Sequence, residues 1–198
     1  MIVKGVKKMG ENFYISDLHF GHYNIIRYDN RPFRTVEEMD ATLIQNWNKT
    51  VSNKDFVYIL GDISWYDDEK TAEIFKELNG SKILIRGNHD NIKSGSKLAK
   101  CFSSVQDYCE LYLDKKNKVV MSHYPILFWN GQFRDAVHLY GHVHNSHQWN
   151  MCENWRKELA QLQDIPARMY NVGAMMSWMN YTPRTLDEII SGYNNNTK

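Results

Sequence analysis

The sequence predicts an α/β fold, and three observations carry the prediction. Short apolar runs recur along the 198 residues, helical segments lie between the early runs, and each run ends on a residue able to bind a metal. The runs are Phe13-Tyr-Ile15, Phe56 to Leu60, Ile83-Leu-Ile85, Val119-Val-Met121 and Val137 to Tyr140. Their length suits buried strands. They lead into Ser16-Asp17, Gly61-Asp62, Arg86-Gly87-Asn88-His89, Ser122-His123 and Gly141-His142.

The helices are read from caps and spacing. Thr35 and Glu38 have capping-box spacing, and Val36, Met39, Leu43 and Trp47 follow at helical intervals. A second helix runs from about Asp68 to Leu78, with Gly80 as its stop signal. A third, short helix follows Pro183, where Thr185 and Glu188 repeat the capping spacing. A weaker helical pattern spans residues 151–163, and the polar stretch from about 192 reads as a frayed tail. Helices between the early strands imply parallel crossovers, which bring strand ends to one edge. Sites in open α/β sheets form outside those ends.

Composition bounds the rest. Residues 1–198 read as one domain, with 42% hydrophobic and 24% charged residues. A formal net charge of +1 gives no global field toward nucleic acid or membrane. Apolar stretches near Met1 to Met9 are too short for a signal-peptide core, and no run suggests a membrane span. The expectation is a cytoplasmic protein. Cys101, Cys109 and Cys152 are too few and too scattered for a disulfide framework or a sulfur-bound zinc, so they read as reduced thiols.

Collected together, the strand-end groups are Asp17, His19, Asp62, Asn88, His89, His123, His142 and His144. Imidazole and carboxylate suit zinc, manganese, iron and related ions. The set is too large for one four-coordinate structural zinc, but it can furnish two open sites with a bridging carboxylate. Each block alone reads as a turn, a solvated histidine or an edge strand; five together read as a shared metal site. Gly61, Gly87 and Gly141 precede ligands, where a sharp turn calls for positive φ.

Asp17-Leu-His19, Gly61-Asp62, Gly87-Asn88-His89-Asp90, His123 and Gly141-His-Val-His144 resemble, in order and spacing, the signature blocks of calcineurin-like metallophosphoesterases. Asn171-Val-Gly173 with Tyr181-Thr-Pro183 is similar to the C-terminal part of a small bacterial and phage branch. The resemblance implies a two-sheet α/β sandwich flanked by helices, with a dinuclear site at the strand C-terminal ends. It assigns Asp17, His19 and His144 to one metal, Asn88, His123 and His142 to the other, and Asp62 to both. His89 becomes the general acid, with Asp90 orienting it, and a hydroxide shared by the two cations becomes the nucleophile. Manganese is the expected metal pair, with iron, zinc, nickel or magnesium as alternatives.

Around this set, His22 and Arg86 are candidates for substrate phosphate, although Arg86 equally suits a loop carboxylate. Arg27, Arg31 and Arg34 read as a solvated face rather than a basic wall, and His138 as structural. His147 is a weak candidate. Trp65, Tyr66, Tyr124, Trp129 and Trp149 suit core and rim better than base stacking. Met175 and Met176 stand where an acidic residue is expected after Asn-Val-Gly, which questions the C-terminal contact to the site. The expected activity is hydrolysis of a phosphodiester or nucleotide phosphoester, with a phosphorylated small molecule or nucleotide as substrate. An inactive scaffold that binds a protein, or a nuclease component of a nucleic-acid assembly, are the alternatives. Filled ligand positions count against the first, and the near-neutral charge counts against strong autonomous nucleic-acid binding. Oligomeric state is not readable from the sequence.

Overall fold

The computed structural model describes residues 10–115, 117–163 and 167–197. The expectation for the extreme N-terminus falls on residues 1–9, outside this range. The chain alternates strands and helices at first. β1 (Asn12–Ile15) is followed by α1 (Tyr23–Tyr28) and α2 (Val36–Thr50), β2 (Phe56–Ile59) by α3 (Asp68–Glu77), and β3 (Ser81–Ile85) by β4 (Ser104–Gln106). These strands form a parallel sheet in the order β1-β2-β3-β4. The second sheet contains β5 (Tyr108–Tyr112), β6 (Lys118–Ser122), β7 (Val137–Tyr140) and β8 (Met169–Asn171) in that order. Only the β5–β6 pair within it is antiparallel. The long helix α4 (His147–Gln163) precedes β8, and α5 (Leu186–Asn196) follows it. The expected two-sheet sandwich with outer helices is what the chain forms.

Period-two alternation decides how the layers stack. Val119 and Met121 of β6 and Val137 and Leu139 of β7 enter the main core, beside Ile15, Ile59, Leu84 and Ile85 of the first sheet. The opposite face of the second sheet presents Val120 and Tyr140 to a smaller cluster with Cys152 and Leu159 of α4. On α2, Met39, Leu43 and Trp47 fall one turn apart and are buried. The caps are only partly as the sequence predicts. Thr35 accepts from Glu38 N–H, but Glu38 reaches back to Arg34 N–H. The reciprocal box is complete at Thr185 and Glu188. Asp67 caps α3. The expectation of a frayed tail from 192 is corrected: α5 continues to Asn196 because Tyr193 is buried and bonded to Glu153.

His138 is structural, as expected. It is fully buried, Nδ1 lies 3.1 Å from Val120 O, and Nε2 accepts from Ile126 N–H at 2.9 Å. Burial pulls its pKa from 6.5 to about 4. Between those values the unfolded ring takes a proton that the folded ring refuses, so the fold loses stability as pH falls. This costs roughly 2 kcal/mol between pH 7 and pH 5. His138→Gln, which retains an acceptor for Ile126 N–H, is expected to remove about that much of the pH dependence of urea unfolding. An unchanged slope would contradict the buried, neutral ring.

Candidate metal centre

The carboxyl ends of β1, β2, β3, β6, β7 and β8 lie on one rim. Past Ile15 and Ile59 the two first strands stay joined by backbone: Asp17 N–H donates to Gly61 O at 3.0 Å and His19 N–H to Asp62 O at 3.1 Å. Across the gap between sheets, Ser16 N–H donates to Val172 O at 2.9 Å and Ala174 N–H to Ser16 O at 2.8 Å. The C-terminal contact questioned by Met175 and Met176 is thus made by backbone, and Asn171 adds to it with a side-chain bond to His144 O at 2.9 Å.

Five candidate ligands occupy left-handed backbone: Asp17 (φ 54°), His19 (φ 55°), Asp62 (φ 53°), His142 (φ 67°) and His144 (φ 49°). Such residues are uncommon and cost on the order of 1 kcal/mol or more each. The glycine expectation is corrected in two of three cases. Gly61 has φ 88°, but Gly87 and Gly141 do not have positive φ. They are small because space is lacking. A Cβ at Gly87 would strike the Asp62 carboxylate, and one at Gly141 would strike Ser16 Oγ and Asp17 Oδ2.

The crowded turns aim two groups of donors at each other. In the first, His144 Nε2 lies 3.5 Å from Asp17 Oδ1 and 3.3 Å from His19 Nε2. His19 Nε2 is 4.0 Å from Asp17 Oδ1. In the second, His123 Nε2 lies 3.1 Å from Asn88 Oδ1 and 3.6 Å from Asp62 Oδ1, and the His142 ring centre is 5.1 Å from that of His123. Asp62 stands between the groups, with its other oxygen 3.9 Å from His19 Nε2. Asp17, His19 and His144, and likewise Asp17, Asp62 and His123, bring their ligand atoms within 4.8 Å of one another.

Hydrogen bonds outside the cluster settle which ring atoms face in. His123 Nδ1 is 2.7 Å from Leu60 O and His144 Nδ1 is 2.7 Å from Asp29 Oδ1. Those oxygens can only accept, so each Nδ1 carries a proton and each ring presents its Nε2 inward. Burial pushes the Asp17 carboxyl up, against the pull of His144 and His123. It pushes His19 well down, helped by the Arg31 charge, and lowers His142. For His144 burial also pulls down, but the Asp29 bond and the Asp17 charge leave it above its usual value. Buried carboxylates and inward lone pairs at these spacings fit divalent cations with mixed nitrogen and oxygen ligands.

The other predicted site residues lie at the opening. His89 is exposed at the rim, its ring centre 4.3 Å from that of Trp65. His22 stacks on the same indole at 3.9 Å and 10° and brings Nδ1 to 3.4 Å from His19 Nδ1. Asp90 does not act on the His89 ring as predicted. Its two oxygens accept from the backbone N–H groups of Asp62, Ile63 and Gly87, at 2.8, 3.0 and 2.8 Å, and so tie the β2 and β3 loops together. Arg86 turns to Asp107 with two 2.8 Å bonds, the loop-carboxylate alternative. Arg31 overturns the solvated-face reading. Its side chain has no exposure, and it donates to Asp17 O at 2.9 Å and Leu18 O at 3.0 Å. Tyr124 caps the other side, its ring 4.4 Å from that of His142, while Trp129 is core. His147 is exposed at the start of α4.

Sequence reasoning missed Asp29 and Asp40 and misread Arg31. Asp40 accepts from Tyr66 OH at 2.9 Å and from Gly21 N–H at 3.2 Å, bracing the loop that carries His19 and His22. Nothing in a single sequence distinguishes these from surface polar residues.

The profile of the calcineurin-like phosphoesterase family matches residues 13–167, a span that contains every candidate ligand. The chain belongs to the calcineurin-like phosphoesterase family. Metal-dependent hydrolysis of phosphoesters is the activity this family brings. An uncharacterized protein of Methanocaldococcus jannaschii, MJ1445, is 36% identical over 92% of this chain and 90% of its own length. The Gene 66 protein of Mycobacterium phage L5 is 29% identical over 69% of this chain and 79% of its own. The crystal structure of AQ665, a protein of unknown function from Aquifex aeolicus, superposes with a TM-score of 0.69 at 26% identity, covering 92% of this chain and 98% of that one. Among the described residues of this phosphoesterase, no helix is long and apolar enough to cross a membrane.

Gly141→Ala tests the close-packing account. The added methyl should destabilise the protein by about 1–3 kcal/mol in urea unfolding, as overpacked sites do. A midpoint equal to wild type would show that the β7 turn yields freely.

Proposed function

We propose that this phosphoesterase hydrolyses a phosphodiester or a nucleotide phosphoester in the cytoplasm, using two divalent cations, with manganese the preferred pair. Iron, zinc, nickel and magnesium are the alternatives, since ligand type alone does not fix the metal. The observation that carries the reading is the inward convergence of ring nitrogens and carboxylate oxygens, above all His19 Nε2 and His144 Nε2 at 3.3 Å with the buried Asp17 carboxylate beside them. A cation between the two rings would take a lone pair from each, with the His144 proton held on Nδ1 by Asp29.

In this reading Asp17, His19 and His144 hold one cation, and Asn88, His123 and His142 the other. Asp62 serves both, since its two oxygens point to different histidines. Asn88 contributes an oxygen without adding charge. When bound, such a pair of cations lowers the pKa of water and offsets charge on phosphoryl oxygens. The chain's own residues do the rest. His89, at the rim and in contact with Trp65, is placed to protonate the leaving oxygen. His22, steadied by the same indole, is placed to bind the phosphoryl group. Burial of Asp17 and His19 keeps water from competing for the inner donors.

Protein stripped of metal and reloaded with manganese should contain about two ions per chain and turn over a phosphodiester or nucleotide panel. Asp62→Asn is expected to lose both bound metal and turnover. His89→Ala should keep its metal, with kcat lowered by roughly 10²–10⁴. Turnover that ignores metal, or equals wild type in both variants, sinks the proposal. Trp65→Ala should lower kcat in the same direction as His89→Ala, with Trp65→Phe restoring most of it; a change in KM alone would argue instead for a substrate-stacking indole.

A further inference from the structure

Arg31 is a buried cation whose partners belong to different parts of the candidate metal centre. Its side chain has no solvent exposure. Nη2 donates to Asp17 O at 2.9 Å and Nη1 to Leu18 O at 3.0 Å, the carbonyls of the left-handed turn that presents Asp17 and His19. Nε and Nη2 also meet Asp29 Oδ2, at 3.0 and 2.9 Å. The other oxygen of Asp29 lies 2.7 Å from His144 Nδ1. One guanidinium and one carboxylate thus connect the Asp17–His19 turn to a histidine more than a hundred residues away.

We infer that Asp29 and Arg31 are positioning residues for cation binding on the His144 side: Asp29 fixes the His144 ring, and Arg31 fixes both Asp29 and the Asp17–Leu18 turn. The inference rests on the metal-centre reading above. A carboxylate at Nδ1 keeps the proton there, leaves the Nε2 lone pair facing inward and stops the ring from rotating. It also makes the ring a better ligand. Burying Arg31 is tolerable only because Asp29 and two carbonyls surround it. The same contacts that stabilise the charge therefore hold the ligands. Asp29 and Arg31 touch the ligands and their backbone, but neither is assigned to substrate or cation.

Calorimetric titration of the metal-free protein with Mn²⁺ tests this, with nitrogen-detected NMR of the imidazoles as a second readout. Wild type should show two classes of site and an Nδ1-protonated His144. Asp29→Asn should weaken one class by about 10–100-fold, leave the other within a few-fold, and change the His144 tautomer signature. Arg31→Lys keeps the buried charge but loses the planar fork. It should weaken the same class, and it carries the test if Asp29→Asn does not fold. Two intact classes in the folded variants, with an unchanged His144 signature, overturn the inference and leave the metal-centre reading standing. Absence of Mn²⁺ binding by wild type overturns that reading and the inference with it.

Discussion

The packing of loops at the carboxyl ends of β1, β2 and β7 is the constraint on which the rest depends. Gly87 packs on Asp62, and Gly141 on Ser16 and Asp17, so closely that neither crossing leaves room for a Cβ. The chain meets this crowding by bending sharply, which is why Asp17, His19, Asp62, His142 and His144 all take left-handed backbone. Aspartate and histidine are among the non-glycine residues that tolerate this region best. The strain persists because what lies beneath is over-determined. Ile15, Ile59, Leu60, Leu84, Ile85 and Leu139 are all but fully buried, and the parallel ladders fix the height at which each loop emerges. Burial of a single such side chain contributes about 1.5–3 kcal/mol, enough to offset one or two strained residues.

Charge is the second demand that the crowding creates. Asp17 and Asp62 are buried beside several imidazoles, so neither carboxylate is solvated as it would be in water. Backbone N–H groups answer part of this. His142 N–H points at both Asp17 oxygens, at 3.2 and 3.1 Å, and His89 N–H at Asp62 Oδ1 at 3.1 Å. Charge-assisted bonds of this kind are roughly twice as strong as neutral ones. The remaining oxygen lone pairs face the imidazole nitrogens. The arrangement of donors in this interior therefore suits a positive charge shared among several ligands.

The sequence revealed these features unevenly, for physical reasons. Strands that end on ligands were legible because each couples an apolar run to an unusual polar residue. β4 and β8 are three residues long and carry no such run. β5 alternates Tyr108, Glu110 and Tyr112 with Cys109 and Leu111, a period-two signal that a search for continuous apolar runs passes over. The candidate ligands were legible as a set, because five blocks at one sheet edge have few innocent explanations. Their supports were not. Asp29, Arg31 and Asp40 act through distances of 2.7–3.2 Å to residues far along the chain, and their types are common on any surface. Asp90 was legible as important but not in its role, since a carboxylate beside a histidine in sequence says nothing about which backbone amides lie closer.

Rigidity and access then divide the site between elements. A metal ligand must be fixed, and Asp17, Asp62 and His123 leave strands whose both faces are covered. A group proposed to meet substrate must be reachable, and His89 and Tyr124 sit on the outer sides of the β3 and β6 loops. Trp65 joins the two halves. Its ring touches buried His19 at 4.9 Å, exposed His89 at 4.3 Å and the half-exposed His22 at 3.9 Å. An indole is large and has only two side-chain torsions, so it can hold three imidazoles apart at little entropic cost. One of its faces is covered by His22, which fits a spacer that sets ring positions. The aromatic rim thus continues the logic of the interior: four of its imidazoles are held from behind, with Leu60 O behind His123, Asp29 behind His144 and Trp65 behind His22 and His89.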